Sequence, residues 1–183
     1  HIPQTEEARA EAEILMEVQT QLISPKHGMN IIGCMEDSVS GNYLLTRDMT
    51  LTKEDAINIL LNVGLEDSSR FKKFKSIISG KELFSSILPD DFNFISKNRA
   101  DEEVIIKNGE LLQGAIDSDI IGEEGGLLIR KLHKDYGEDR TLEILSMMFK
   151  LGIKVLELNG FTAGIKDADL DDKLVEDIKQ AVN

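Results

Sequence analysis

Cysteine is all but missing from this 183-residue chain: Cys34 stands alone, so no disulfide can close within it, which fits a reducing compartment. No apolar run reaches the ~18 residues of a membrane span, and no charged-then-apolar leader opens the sequence. Cations are scarce, with 21 lysines and arginines against 34 aspartates and glutamates and a net charge of −13. Acids recur at Glu6-Glu7, Asp90-Asp91, Asp101 to Glu103, Asp117 with Asp119, Glu123-Glu124 and Asp167 to Asp172. A surface of that sign repels phosphate backbones, which argues against autonomous binding to duplex DNA or RNA. Glycine and proline are not in excess, and neither repeats nor low-complexity stretches occur. The length suits one ordinary domain, or one and a fragment, with a real core. The expectation is a soluble, cytoplasmic protein.

What is present is organised around Gly137 to Ile165. Leu142, Leu145, Phe149, Ile153 and Leu156 follow helical spacing. Ile144, Met148, Leu151, Val155 and Leu158 widen that stripe, which predicts a central helix over Asp139–Leu158 wrapped by protein on most of its circumference. Glu138 and Asp139 suit its first turn, and Asn159-Gly160 supply the left-handed stop. The apolar turn Phe161 to Ile165 is expected to tuck against a neighbour.

Elsewhere, Thr5 caps a first helix whose buried side carries Ala8, Ala12, Leu15, Val18 and Leu22, ending at Ser24-Pro25. Asn30 to Met35 reads as a buried strand, Glu36 to Gly41 as a polar connector or a single helical turn, and Tyr43 to Thr46 as extended. Thr52 to Asp55 resembles a capping box opening a helix that buries Ala56, Leu60 and Val63 and stops at Gly64; Ser79 to Glu82 is a second box, leading into Leu83, Phe84 and Ile87. Glu66 to Lys75 is the candidate mobile loop. Phe92 to Ile95 reads as a strand, and Asn108-Gly109 between two apolar runs predicts a β-hairpin over Val104–Gln113. Gly114 to Ile121 looks extended, Gly122 to Gly126 forms a flexible or close-packed corner, and Leu127 to Tyr136 is helical. A final helix is expected around Leu174, Val175, Ile178 and Val182. Helices and short strands without regular alternation indicate an α+β fold.

Reactive constellations are few. His1, His27 and His133 share no metal-ligand spacing with one another or with Cys34. Asp167, Asp169 and Asp171 begin like a calcium loop, but Asp172 and Ile178 stand where glycine and glutamate are needed. Gly122 to Gly126 lacks the Lys-Ser/Thr of a phosphate loop and carries two repelling carboxylates. One basic stretch, Arg70 to Lys75, interleaves Phe71 and Phe74 with cations. It reads either as a solvated loop with two anchoring rings or as a nucleic-acid contact, the former being favoured.

Three stretches, HIPQTEEARAEA (1–12), SGKELFSSILP (79–89) and NGFTAGI (159–165), together with NGELL (108–112) and GGL (125–127), carry a family resemblance. In this order and spacing they resemble the largest subunit of multisubunit DNA-directed RNA polymerase, most nearly its archaeal A′ form. The resemblance implies that residues 1–23 trail the active-site domain, that 24–170 form the pore domain, and that 171–183 begin a truncated funnel domain. It implies that the catalytic magnesium is held upstream of His1, so that this chain has no catalytic residue, metal or cofactor of its own and is inactive in isolation. By matching, Ser24, Pro25 and Lys26 would face the pore, and Asn159, Gly160, Phe161, Thr162 and Gly164 would form the turn into the funnel. Related subunits often carry adjacent lysines around Gly114 to Gly122; here Ser118 and Asp119 stand, and an RNA-phosphate contact is not carried over to that loop.

The resulting expectation is a non-catalytic wall segment of the secondary channel, with the other polymerase subunits, DNA, RNA, nucleotides and a transcript-cleavage factor as partners and no membrane. Both ends look cut from a longer polypeptide. The alternative is a free-standing acidic protein-interaction module. A self-contained nucleotidyl enzyme would need a carboxylate cluster for magnesium, which the sequence does not offer.

Overall fold

Three polar residues four apart, Ser38, Asn42 and Thr46, organise the centre of the molecule. The computed structural model, which describes residues 2–65 and 67–168, places all three within helix α2 (Asp37–Asp48) and buries them. Each bonds backbone through its side chain. Asn42 Nδ2 donates to the Ser38 carbonyl at 2.7 Å and Thr46 Oγ1 to the Asn42 carbonyl at 2.7 Å. Thr46 Oγ1 also accepts from the Ile116 amide at 2.8 Å. The expected connector and extended run over Glu36 to Thr46 are therefore one helix. Its buried stripe is polar, so hydrophobic periodicity misses it.

Helix α2 packs against the long helix α8 (Glu138–Asn159). The two backbones meet at glycines: a Cβ on Gly41 would lie 1.9 Å from the Gly152 carbonyl oxygen, and one on Gly152 would lie 2.1 Å from that of Ser38. Asn42 Nδ2 reaches across to the Met148 carbonyl at 2.8 Å. Helix α8 buries Thr141, Ile144, Leu145, Met147, Met148, Leu151, Gly152 and Val155. The expected stripe is rotated from this face, since Phe149 and Leu158 are 41% and 53% exposed. The helix is covered on one side, not on most of its circumference.

Helix α3 (Lys53–Val63) starts at the Thr52 cap, whose Oγ1 accepts from the Asp55 amide at 3.2 Å, and ends at Gly64 in the left-handed region. Helix α5 (Gly80–Ser85) has the full reciprocal box: Glu82 N donates to Ser79 Oγ and Ser79 N to Glu82 Oε2. Strands β1 (Thr50–Thr52) and β2 (Ile77–Ser79) pair antiparallel just ahead of these two helices. Between them lies the short helix α4 (Ser68–Phe71). The stretch expected as a mobile loop is thus partly structured: Arg70 donates to the Ser86 and Leu88 carbonyls at 2.6 and 2.8 Å.

A second antiparallel sheet has the order β3 (Phe94–Lys97), β4 (Glu103–Lys107), β5 (Glu110–Gln113). Its hairpin turns through Asn108 and Gly109, with φ of 49° and 75° as the tight primed turn requires. Phe92 precedes β3 without joining it, stacked on Phe94 at 6.2 Å and packed against Tyr136 at 6.1 Å. Gly114 to Ile121 is not a strand; Asp117 caps the short helix α6 (Ser118–Ile121), which leads to α7 (Leu127–Tyr136). The common core runs from Leu22 and Leu45 through Leu60, Phe84 and Ile106 to Leu132 and Leu151.

The N-terminal helix α1 (Glu6–Ile14) uses the Thr5 cap but stops early, and no residue in it is buried. Leu15 and Val18 are exposed, and a 3-10 turn (Val18–Gln21) leads to Leu22, the one expected position that enters the core. Asn30 to Met35 contributes only isolated bridges, Asn30 with Ile23 and Cys34 with Gly122, in place of a strand. Phe161 and Ile165 are exposed, contrary to the expected tuck. The expected final helix and funnel segment lie outside the described residues.

Candidate functional site

The loop from Ile23 to Asn30 is short because its ends are tied by backbone. Ser24 N donates to the Met29 carbonyl and Gly28 N to the Ser24 carbonyl, both at 2.8 Å, and Gly28 takes φ of 66° to close the turn. Lys26 N bonds Ser24 Oγ at 3.3 Å, an Asx-like turn that holds Pro25 and Lys26 outward. Ser24 is half-buried, and Pro25, Lys26 and His27 are exposed.

Beneath the loop sits Asn30, 1% exposed. Its Nδ2 donates to the Gly122 carbonyl at 2.9 Å and to that of Ile32 at 3.1 Å, while its own carbonyl accepts from Glu124 N at 3.1 Å. Cys34 N adds a bond to the Ile121 carbonyl at 2.8 Å. The corner Gly122 to Gly126 is therefore close-packed. A Cβ on Gly126 would lie 2.5 Å from Asn30 Nδ2, and one on Gly33 2.4 Å from the Gly122 backbone. Exposed Glu123 and Glu124 sit on this corner. Sequence reading misses Asn30; its only local signal is a polar amide at the head of the apolar run Ile31-Ile32.

The second group, Asn159 to Gly164, begins where α8 ends. Gly160 takes φ of 68° and its N–H bonds the Leu156 carbonyl at 2.7 Å, so the chain leaves the helix at the expected place. Asn159, Gly160, Phe161, Thr162 and Gly164 are all exposed, and Gly164 N bonds Asp167 Oδ2 at 2.6 Å. The basic stretch behaves as anchoring structure. Arg70 is spent on two carbonyls and on Asp90 at 3.0 Å, and the Phe71 and Phe74 rings, 6.3 Å apart, pack against the core. Lys72, Lys73 and Lys75 remain exposed around them.

Reactive chemistry is not assembled from these residues. Burial pushes the Cys34 thiol up to about 12, which keeps it protonated and poorly nucleophilic. Burial and the hydrogen bond to Asp91 raise Tyr136 to about 12. The Ser69 hydroxyl and amide hold the Asp67 carboxyl below its ordinary value, as a helix-capping acid should be. Among the described residues no group of three or more His, Cys, Asp or Glu side chains could hold a metal ion. Among the described residues no helix is long and apolar enough to cross a membrane.

Comparison with known proteins bears on the whole chain. The family described as RNA polymerase Rpb1, domain 3, matches residues 21–168. DNA-directed RNA polymerase subunit Rpo1N of Methanocaldococcus jannaschii is 36% identical, over 100% of this chain and 15% of that subunit. The Rpo1N subunits of Thermococcus celer and Sulfolobus acidocaldarius are 33% and 34% identical, over 100% and 97% of this chain and 24% and 22% of their own lengths. The chain thus spans less than a quarter of these curated relatives. With its α+β architecture and the family match over residues 21–168, the chain belongs to the RNA polymerase Rpb1 domain 3 family.

Proposed function

We propose that this chain is a non-catalytic wall segment of a DNA-directed RNA polymerase, lining the secondary channel through which nucleotides enter and backtracked RNA leaves. The observation that carries the reading is the family match over residues 21–168, which includes the backbone-tied Ser24-Pro25-Lys26 loop with Pro25 and Lys26 exposed. Nucleotidyl transfer, in this reading, belongs to the whole complex. The magnesium that serves it is held by residues outside this chain.

The role is steric and electrostatic. A conduit must pass its cargo without retaining it, and a wall with a net charge of −13 disfavours lingering contacts with polyphosphates. Beyond about 8 Å that repulsion is screened at physiological salt, so it acts on molecules close to the wall. Lys26 offers an exposed cation on a loop whose ends are tied by backbone hydrogen bonds, and the bond from Gly164 N to Asp167 ties the turn that follows α8. The partners are the remaining polymerase subunits, with DNA, RNA, nucleotides and a transcript-cleavage factor in the assembled enzyme, in the cytoplasm.

The test is a polymerase assembled with Ser24, Pro25 and Lys26 replaced by alanine or glycine. Altered nucleotide dependence of elongation or altered transcript cleavage is expected; unchanged behaviour in both overturns the pore-facing reading. A free-standing acidic module is separated by the codons preceding His1, which should encode an aspartate-rich metal-binding loop.

A further inference from the structure

Two loops far apart in sequence share one buried joint. The Ile23–Asn30 loop carries Lys26, the Gly122–Gly126 corner carries Glu123 and Glu124, and Asn30 bonds both sides of the boundary through its side chain and its carbonyl. Gly126 leaves room for that carboxamide and for little else, since a Cβ there would fall 2.5 to 2.8 Å from three Asn30 atoms. Asn30 Oδ1 is buried and, among the described residues, has no hydrogen-bond partner, so the amide carries a desolvation cost that its two donated bonds offset. A buried amide retained at that cost fixes geometry, because its donors accept only one arrangement of the two carbonyls.

We propose that Asn30 is a positioning residue that locks the Lys26 loop to the Glu123-Glu124 corner, so that one cation and two carboxylates keep a fixed spacing on the exposed surface. The proposal rests on the channel-wall reading for its functional consequence, but not for the joint itself. Loosening Asn30 frees Lys26 to sample positions away from any passing phosphate. The chemistry at a metal held outside this chain is untouched, so the effect falls on access and not on turnover.

The test has two arms. In hydrogen exchange on the 183-residue chain, Asn30→Ala should speed exchange at Gly28 and at Glu124 and Gly126 together, by tenfold or more, while Lys26→Ala changes neither. In polymerase assembled with the whole subunit, Asn30→Ala should raise the apparent KM for nucleotide or slow cleavage of backtracked transcript as Lys26→Ala does, with kcat retained. Gly126→Ala attacks the joint from the other side and replaces Asn30→Ala if that variant does not fold. Exchange that quickens in the loop alone overturns the coupling. Coupled exchange with unchanged KM and cleavage leaves the joint standing and overturns the channel-wall reading.

Discussion

Replacing Gly152 by alanine tests the packing on which the fold turns. The added methyl would sit 2.1 Å from the Ser38 carbonyl oxygen and 2.8 Å from Asn42 Nδ2, against ordinary contacts nearer to ~3.5 Å, so α2 and α8 must part by roughly 1 Å. Overpacking of this kind costs about 1–3 kcal/mol. Parting also stretches the Asn42 to Met148 bond and strips the buried Asn42 amide of one of its two acceptors, for about 1–3 kcal/mol more. Alanine's helical preference returns about 1 kcal/mol, leaving a net loss near 3 kcal/mol. At this chain length that is a fall of roughly 6–12 °C in Tm. Urea titration followed by circular dichroism should show a lower midpoint with an unchanged slope. Ser146→Ala, on the exposed side of the same helix, supplies the baseline for propensity alone. Gly41→Ala should be comparably damaging and less than additive with Gly152→Ala, because a single separation relieves both clashes. If Gly152→Ala is as stable as Ser146→Ala, the glycine contact is not tight and the reasoning fails.

Other outcomes follow from single contacts. Ser79→Ala should cost about 1 kcal/mol through loss of the capping box, read as a drop of roughly 2–4 °C in Tm. Arg70→Met should cost about 2 kcal/mol by stranding the Ser86 and Leu88 carbonyls. Arg70→Lys should not restore it, because an ammonium cannot reproduce the planar fork, and urea midpoints of the three proteins would show the difference. Cys34 should resist a thiol reagent at pH 8 until the chain is unfolded. Its folded value of about 12 exceeds the unfolded value of 9.0, so the unfolded chain releases its proton first and stability drains as pH rises through that interval. Cys34→Ala should flatten that alkaline limb of a stability profile.

Legibility tracked the range of the interaction. The Asn108-Gly109 hairpin, the Thr52 and Ser79 caps and the Gly64, Gly137 and Gly160 stops were readable because each is decided within a few residues. Helix α2 was not readable, because Ser38, Asn42 and Thr46 look like surface until Met148 and Ile116 are brought beside them. The rotation of α8 was hidden for a related reason. Two apolar stripes overlap on that helix, and only the glycine contact with α2 selects between them. At the candidate site, Gly28 and the Ser24-Pro25 turn announce a loop, but Asn30 meets Gly122 across 92 residues and leaves no local trace.

The glycine crossing also sets how α2 can move. Backbones in direct contact, keyed by one amide that spans the seam, leave no lubricating layer of interchangeable methyl groups over which one helix could slide or roll upon its mate. Distortion must then enter the molecule away from that seam, while the paired rods behave as a fixed ruler against which everything mounted on them is measured.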